Sequence, residues 1–119
     1  MTRDEEPPAA GPRMTLPTQA VLRALLEKPA DELYGLQICA MAELPSGTIH
    51  PILARLESAG WLESRWEQVD PSEQGRPRRR YYRLGPDGAE RARTALALAT
   101  AKRSALRALR PGLAGGAGR

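Results

Sequence analysis

Apolar side chains recur with a helical period through the first half of the chain, and the period then shortens to that of a strand. Val21, Leu22, Leu25 and Leu26 repeat at helical spacing. This predicts a helix that opens near Thr15 or Leu16, tolerates Pro17 in its first turn and stops at Lys28-Pro29. A second, shorter helix is predicted from Tyr34 to Ala42, with Leu36, Ile38, Cys39 and Met41 as its apolar positions. Leu44-Pro45 ends that segment, because a residue before proline is pushed out of helical geometry. Ile49, Ile52, Leu53 and Leu56 then follow an i, i+3, i+4, i+7 stripe, the mark of a helix with one face in a core. Ser46 or Thr48 is the expected cap, Gly60 the expected left-handed stop, and Pro51 places the start close to Gly47 or Thr48.

Beyond Gly60 the pattern changes. Trp61 to Val69 holds β-formers in partial alternation, Asp70 to Gly75 is a turn cluster, and Arg79 to Leu84 reads as a returning strand, which together predict a hairpin with a long basic tip. Gly85-Pro86-Asp87 opens a last helix, rich in Ala and Arg, that runs to about Leu109 before Pro111-Gly112. The fold class is therefore mainly α with a small β-hairpin: a winged helix-turn-helix followed by a C-terminal helix suited to dimerisation. Residues 1–14 read as a disordered arm, 15–85 as the winged-helix domain, 86–110 as the C-terminal helix and 111–119 as a disordered tail.

Composition narrows the chemistry. A chain of 119 residues with 41% hydrophobic and 27% charged positions suits one small domain, and with no Phe its core must be mainly aliphatic. No apolar run reaches the roughly 20 residues of a membrane span. The first residues carry no apolar stretch of the kind a secretory signal needs. A single cysteine, Cys39, excludes a disulfide framework, and a single histidine, His50, excludes a histidine metal cluster. Cys39 reads as core rather than as a redox sensor. No P-loop, paired-carboxylate or nucleophile motif is present, so the sequence predicts no enzyme, no catalytic residue, no metal and no cofactor. The expected place is the cytoplasm and not a membrane.

Charge points to a partner. Residues 74–119 hold twelve basic side chains against two acidic ones, a net of +10; the whole chain carries +4, which leaves −6 for residues 1–73. Such asymmetry suits a polyanion met by the C-terminal half. On the third helix, Gly47, Pro51, Ala54 and Ser58 lie opposite the apolar stripe, with Thr48, His50 and Arg55 on its flanks. Small residues there let a helix approach a groove floor, and the flanking polar groups suit phosphates and base edges. An ordinary surface helix fits that pattern equally well taken alone. The segment Gly75-Arg76-Pro77-Arg78-Arg79-Arg80 tips the balance against a merely soluble loop, since four arginines in five positions repel one another and no acidic run lies beside them in sequence. Guanidinium forks match phosphate oxygens and narrow minor grooves. Trp61 and Trp66 are expected to pack beneath this wing, with a ligand or a dimer partner as the alternative for Trp66.

From about Leu16 to Arg93 the chain resembles the PadR family of bacterial transcriptional regulators. The likeness rests on Tyr34-Gly35-Leu36-Gln37-Ile38, on Ser46 to Leu62 and on Gly75 to Gly88. It is carried most specifically by the Gly-Thr-Ile-x-Pro-x-Leu-x-x-Leu-Glu core together with Arg-Tyr-Tyr-x-Leu. The resemblance implies a homodimeric repressor on a palindromic double-stranded operator, released by a small-molecule effector or another signal. Read with it, the DNA-contacting set is Ser46, Gly47, Thr48, His50, Arg55, Arg76, Arg78, Arg79, Arg80 and Tyr81. The dimer seam is Ala92, Leu96, Ala99 and Leu106, which Arg103 interrupts. Two positions depart from the family: His50 stands where a backbone-contacting tyrosine is usual, giving a shorter, pH-dependent contact, and Gly85 replaces a capping threonine. No aromatic residue follows Tyr82, which argues against a planar ligand held on the last helix. Two other readings stay open from the residues: a winged-helix module for protein–protein contacts, and a nonspecific nucleic-acid binder.

Overall fold

The computed structural model describes residues 11–109, which form α1 (Leu16–Glu27), β1 (Leu33–Tyr34), α2 (Gly35–Ala42), α3 (Ser46–Ser58), β2 (Leu62–Trp66), α4 (Pro71–Gln74), β3 (Arg80–Leu84) and α5 (Gly88–Ala108). The tail expected at 111–119 and residues 1–10 of the expected arm lie outside the described residues. Residues 11–14 lie against the protein: Gly11 sits on the Trp61 ring, and Met14 packs at the edge of the core.

α1 begins where its cap predicts. The Thr15 hydroxyl accepts the Thr18 N–H at 3.3 Å, with Pro17 in the first turn. Its inner face buries Val21, Leu22 and Leu25 against Ile38 of α2 and the α3 stripe Ile49, Ile52, Leu53 and Leu56. Leu36 departs from expectation. It is 71% exposed, on the opposite side of α2 from buried Ile38.

The turn between α2 and α3 spans residues 43–45. α2 ends at the expected Ala42, and Glu43 takes the left-handed conformation with φ 58° that stops it ahead of Leu44-Pro45. The Leu44 N–H then reaches back to the Cys39 carbonyl at 3.1 Å. α3 starts at Ser46 with Pro45 as its N-cap and no side-chain cap. Neither Ser46 nor Thr48 caps it, and Pro51 falls in its second turn. At the other end Gly60 has φ 83°, and the N–H groups of Gly60 and Trp61 bond the carbonyls of Glu57 at 3.0 Å and Leu56 at 2.9 Å. That Schellman closure turns the chain straight into β2.

The expected hairpin is the larger part of a three-stranded antiparallel sheet of order β1-β3-β2. Leu33 pairs with Tyr82, while Leu62, Ser64 and Trp66 pair with Leu84, Tyr82 and Arg80. Alternation places Leu33, Leu62, Tyr82 and Leu84 on the core face. Tyr34, Tyr81, Arg65 and Arg83 belong to the other face. Trp61 is buried, but beside Gly11 and the start of α5 rather than beneath the wing.

α5 docks through its first turns. The Gly85 N–H bonds the Trp61 carbonyl at 2.9 Å, and Gly88 lies so close to that carbonyl that a Cβ there would collide with it. Ala92 is fully buried, Ala95, Leu96 and Ala99 are half-buried, and residues 101–109 are all exposed. No helix among the described residues is long and apolar enough to cross a membrane.

Candidate nucleic-acid interface

The N-terminal half of α3 and the wing strands lie around one groove. Along α3 the outward positions are Ser46, Gly47, His50, Pro51, Ala54, Arg55 and Ser58, all exposed, whereas Thr48 is half-buried. The Ser46 and Gly47 N–H groups have no carbonyl within the helix to bond and point along the positive end of its dipole, whereas the Thr48 N–H bonds the Pro45 carbonyl at 3.0 Å. Pro45 rather than Ser46 holds the cap, so the Ser46 hydroxyl is not spent on capping. His50 nests against α2: a Cβ on Gly35 would stand 3.2 Å from its Cε1. Glycine at position 35 therefore lets the imidazole approach the α2 N-terminus.

The wing is far less free than its charge implies. Arg76 forms a bidentate pair with Glu67, at 2.8 Å to Oε1 and 2.9 Å to Oε2. Glu67 Oε1 also accepts the Arg79 N–H at 3.0 Å, and the Glu67 N–H donates to the Arg79 carbonyl at 2.8 Å, extending the β2–β3 ladder. The Arg76 guanidinium, and behind it the Arg79 N–H, holds the Glu67 carboxyl well below the usual range, at about 2. The expectation of an un-neutralised tip is corrected here. Glu67 lies nine residues before Arg76 in sequence and is folded onto it.

The other arginines are placed one by one. Arg78 Nε donates to the Val69 carbonyl at 2.9 Å, which fixes the side chain without cancelling its charge. Arg79 lies over the Tyr34 ring, 4.1 Å from the centroid. Arg80 sits 3.6 Å from the Glu57 carboxylate and 5.1 Å from the centre of the Trp66 ring. Glu57, on α3, also accepts the Ser64 hydroxyl at 2.5 Å, so one carboxylate ties the recognition helix to both wing strands. Tyr81 packs in a ladder on the outer sheet face, between Arg65 at 5.1 Å and the edge of Tyr34 at 5.8 Å. Arg65 is itself held by Glu32 through two contacts of 2.7 Å. Arg78 and Arg79 are thus the two tip arginines with no carboxylate partner among the described residues.

α2, α3 and the wing enclose a groove of about 400 Å³. Ser46, His50, Arg76, Arg79 and Arg80, all in the sequence-derived set, line it; Gly47, Thr48, Arg55, Arg78 and Tyr81 do not. The same groove brings in Tyr34, Leu36 and Trp66, which sequence reasoning did not place there. The sequence predicts packing for Leu36 and, with a ligand or a dimer partner as the alternative, for Trp66. Their exposure, 71% and 54%, is visible only once the fold shows that no apolar group among the described residues covers them.

On α5 the proposed seam divides. Ala92 is sealed in the protein's own core, Leu96 and Ala99 are half-buried against it, and Leu106 is exposed beside Leu98 and Leu109. Arg103 lines the same surface as Leu98, Ala99 and Leu106, and its guanidinium donates to the Gln19 side chain at 3.2 Å. Among the described residues, no group of His, Cys, Asp and Glu could hold a metal ion.

Comparison with known proteins bears on the fold. Solved structures that match include AbfR of Staphylococcus epidermidis, at 24% identity over 69% of this chain and 50% of that one, with TM-score 0.54. A PadR-like transcriptional regulator of Bacillus cereus matches at 17% identity over 78% of this chain and 90% of that one, with TM-score 0.54. A structure of reduced AbfR bound to DNA matches at 22% identity over 89% of this chain and 75% of that one, with TM-score 0.55. At these identities the likeness is one of fold, and in the first case the match spans half the length of the AbfR chain. No curated protein matches the chain. The model of the transcriptional regulator PadR-like family matches residues 22–94. With the winged-helix fold around it, that match shows that the chain belongs to the PadR-like family of transcriptional regulators.

Proposed function

We propose that the protein is a sequence-specific DNA-binding repressor that acts as a homodimer on a palindromic operator. Residues 15–85 form its DNA-binding unit and residues 86–110 its dimerisation helix. The observation that carries the reading is the pairing of an exposed, small-residue face on α3 with Arg78 and Arg79, cations that no carboxylate neutralises among the described residues. α3 enters the major groove by its N-terminal end, where Ser46 and Gly47 offer N–H groups and His50 and Arg55 flank the helix. The wing reaches the neighbouring backbone or minor groove. Arg76 moves from direct contact to support, since its guanidinium is already spent on Glu67.

The structures of AbfR bound to DNA support the reading by analogy of fold alone. Such a regulator works in the cytoplasm, on the nucleoid. The small-molecule effector that the family resemblance implies would have to bind without aromatic residues on α5, since that helix has none.

Footprinting on the region upstream of the protein's own coding sequence tests sequence specificity. Protection of an inverted repeat is the expected result. Replacing Arg78, Arg79 and Arg80 together with Ala should weaken binding to all duplexes and flatten the salt dependence by about 0.9 per lost phosphate contact. Unchanged affinity would remove the wing from the mechanism. The small residues on α3 favour one second reading, a nonspecific nucleic-acid binder. A steep salt slope retained without preference among sequences would identify it.

A further inference from the structure

We infer that the groove between α2, α3 and the wing is a seat for one DNA sugar–phosphate strand, in which Trp66 and Leu36 pack on deoxyribose while Arg79 and Arg80 hold the flanking phosphates. The inference rests on the proposed DNA-binding function and adds apolar contacts to an interface so far described by charge.

Six large hydrophobic side chains are exposed among the described residues, and they fall in two places. Leu16, Leu98, Leu106 and Leu109 lie on α1 and α5. Leu36 and Trp66 line the groove beside the α3 N-terminus. Exposing an indole and a leucine side by side costs solvation that the fold could avoid with polar residues. The groove floor is apolar, made of Leu36, Cys39, Trp66 and Tyr82, and its rim carries Arg79 with no carboxylate partner among the described residues, Arg80 at 3.6 Å from Glu57, and Arg76 paired with Glu67. No carboxylate lines it.

Both α2 and α3 open there, through Gly35 and Ser46, so the positive ends of two helix dipoles add to the rim. A strand of DNA alternates apolar sugar faces with anionic phosphates, and this combination of floor and rim is complementary to it. Trp66 is also held ready, because Arg80 lies over its ring. No further ordering of the indole is needed on binding.

Apolar contacts release no counterions, so they separate cleanly from the arginine contacts in a salt titration. The probe is a fluorescein-labelled duplex of mixed sequence, read by anisotropy over a range of salt. Trp66→Ala and Leu36→Ser should each weaken binding about 5- to 30-fold with an unchanged salt slope. Arg79→Ala should lower the slope by about 0.9. The chain has two tryptophans, and Trp61 is only 7% exposed. Saturating DNA should therefore shift the emission of the unlabelled protein, and Trp66→Phe should abolish the shift.

Wild-type affinity in both Trp66→Ala and Leu36→Ser, with native circular dichroism, would overturn the inference. So would an emission spectrum that DNA leaves unchanged. If the wild-type protein binds no duplex at all, the DNA-binding reading fails and this seat with it. If the wild type binds and only the apolar variants are silent, the seat alone fails.

Discussion

Glu67 governs how much of the wing's charge is available. Its carboxylate takes both forks of Arg76 and the Arg79 N–H, so a segment that counts as four arginines presents fewer uncompensated cations. Because the carboxyl is held at about 2, below its ordinary 4.5, the pairing stabilises the wing fully above the ordinary value. That contribution is lost as pH falls from about 4.5 towards about 2. Protection factors of the amides at residues 67–80, corrected for the intrinsic slowing of exchange in acid, should fall across that window while those of the α3 amides hold, and hydrogen exchange measured by NMR reads both. Replacing Glu67 with Gln removes the charge that Arg76 answers. The released guanidinium should steepen the salt dependence of DNA binding by about 0.9. A slope equal to that of the wild type would mean that Arg76 cannot reach a phosphate even when freed.

At the scale of elements, two close fits decide how α3 and α5 sit. Pro51 lies in the second turn of α3, where it has no N–H to give the Gly47 carbonyl and its ring crowds that group. Pro51→Ala restores the bond, and after the entropy returned to the unfolded chain it should stabilise the protein by about 1–2 kcal/mol in urea denaturation. Gly88→Ala should do the reverse. The added methyl meets the Trp61 carbonyl oxygen, which is backbone and cannot swing away, so α5 must shift at a cost of about 1–3 kcal/mol.

These elements differ in how far the sequence reveals them. α1 and the end of α3 are legible because Thr15 and Gly60 act through local backbone geometry. β1 is not legible: two residues carry no period, and Leu33 and Tyr34 become a strand only by pairing with β3. Leu36 and Trp66 fail for another reason, since a period gives the direction of an apolar side chain and not whether anything covers it. The Arg76–Glu67 pair fails likewise, because composition counts charges but does not pair them.

At the scale of the whole molecule, one face of α5 has no partner among the described residues. α5 keeps Leu98 65%, Leu106 52% and Leu109 75% exposed. Residues 101–109 have no exposed-to-buried alternation of their own, and such a helical extension is marginal in water without packing. A second copy laid along this helix would cover the leucines and supply the two-fold axis that a palindromic operator requires. In such a dimer each substitution counts twice. Leu98→Ser combined with Leu106→Ser should weaken self-association at least about 100-fold, measured by sedimentation equilibrium. Affinity for a single half-site should change little, since neither leucine is near α3 or the wing. Arg91, Arg93, Lys102, Arg103 and Arg107 stand on the same helix with Glu90 as the nearest acidic residue within it. Two such helices repel each other at low ionic strength, and salt screens the repulsion. Self-association should therefore tighten as salt rises while DNA binding weakens. Sedimentation and anisotropy run over one salt series should show the two trends crossing, and a dimer that loosens with salt would place the interface on a charge-complementary surface other than α5.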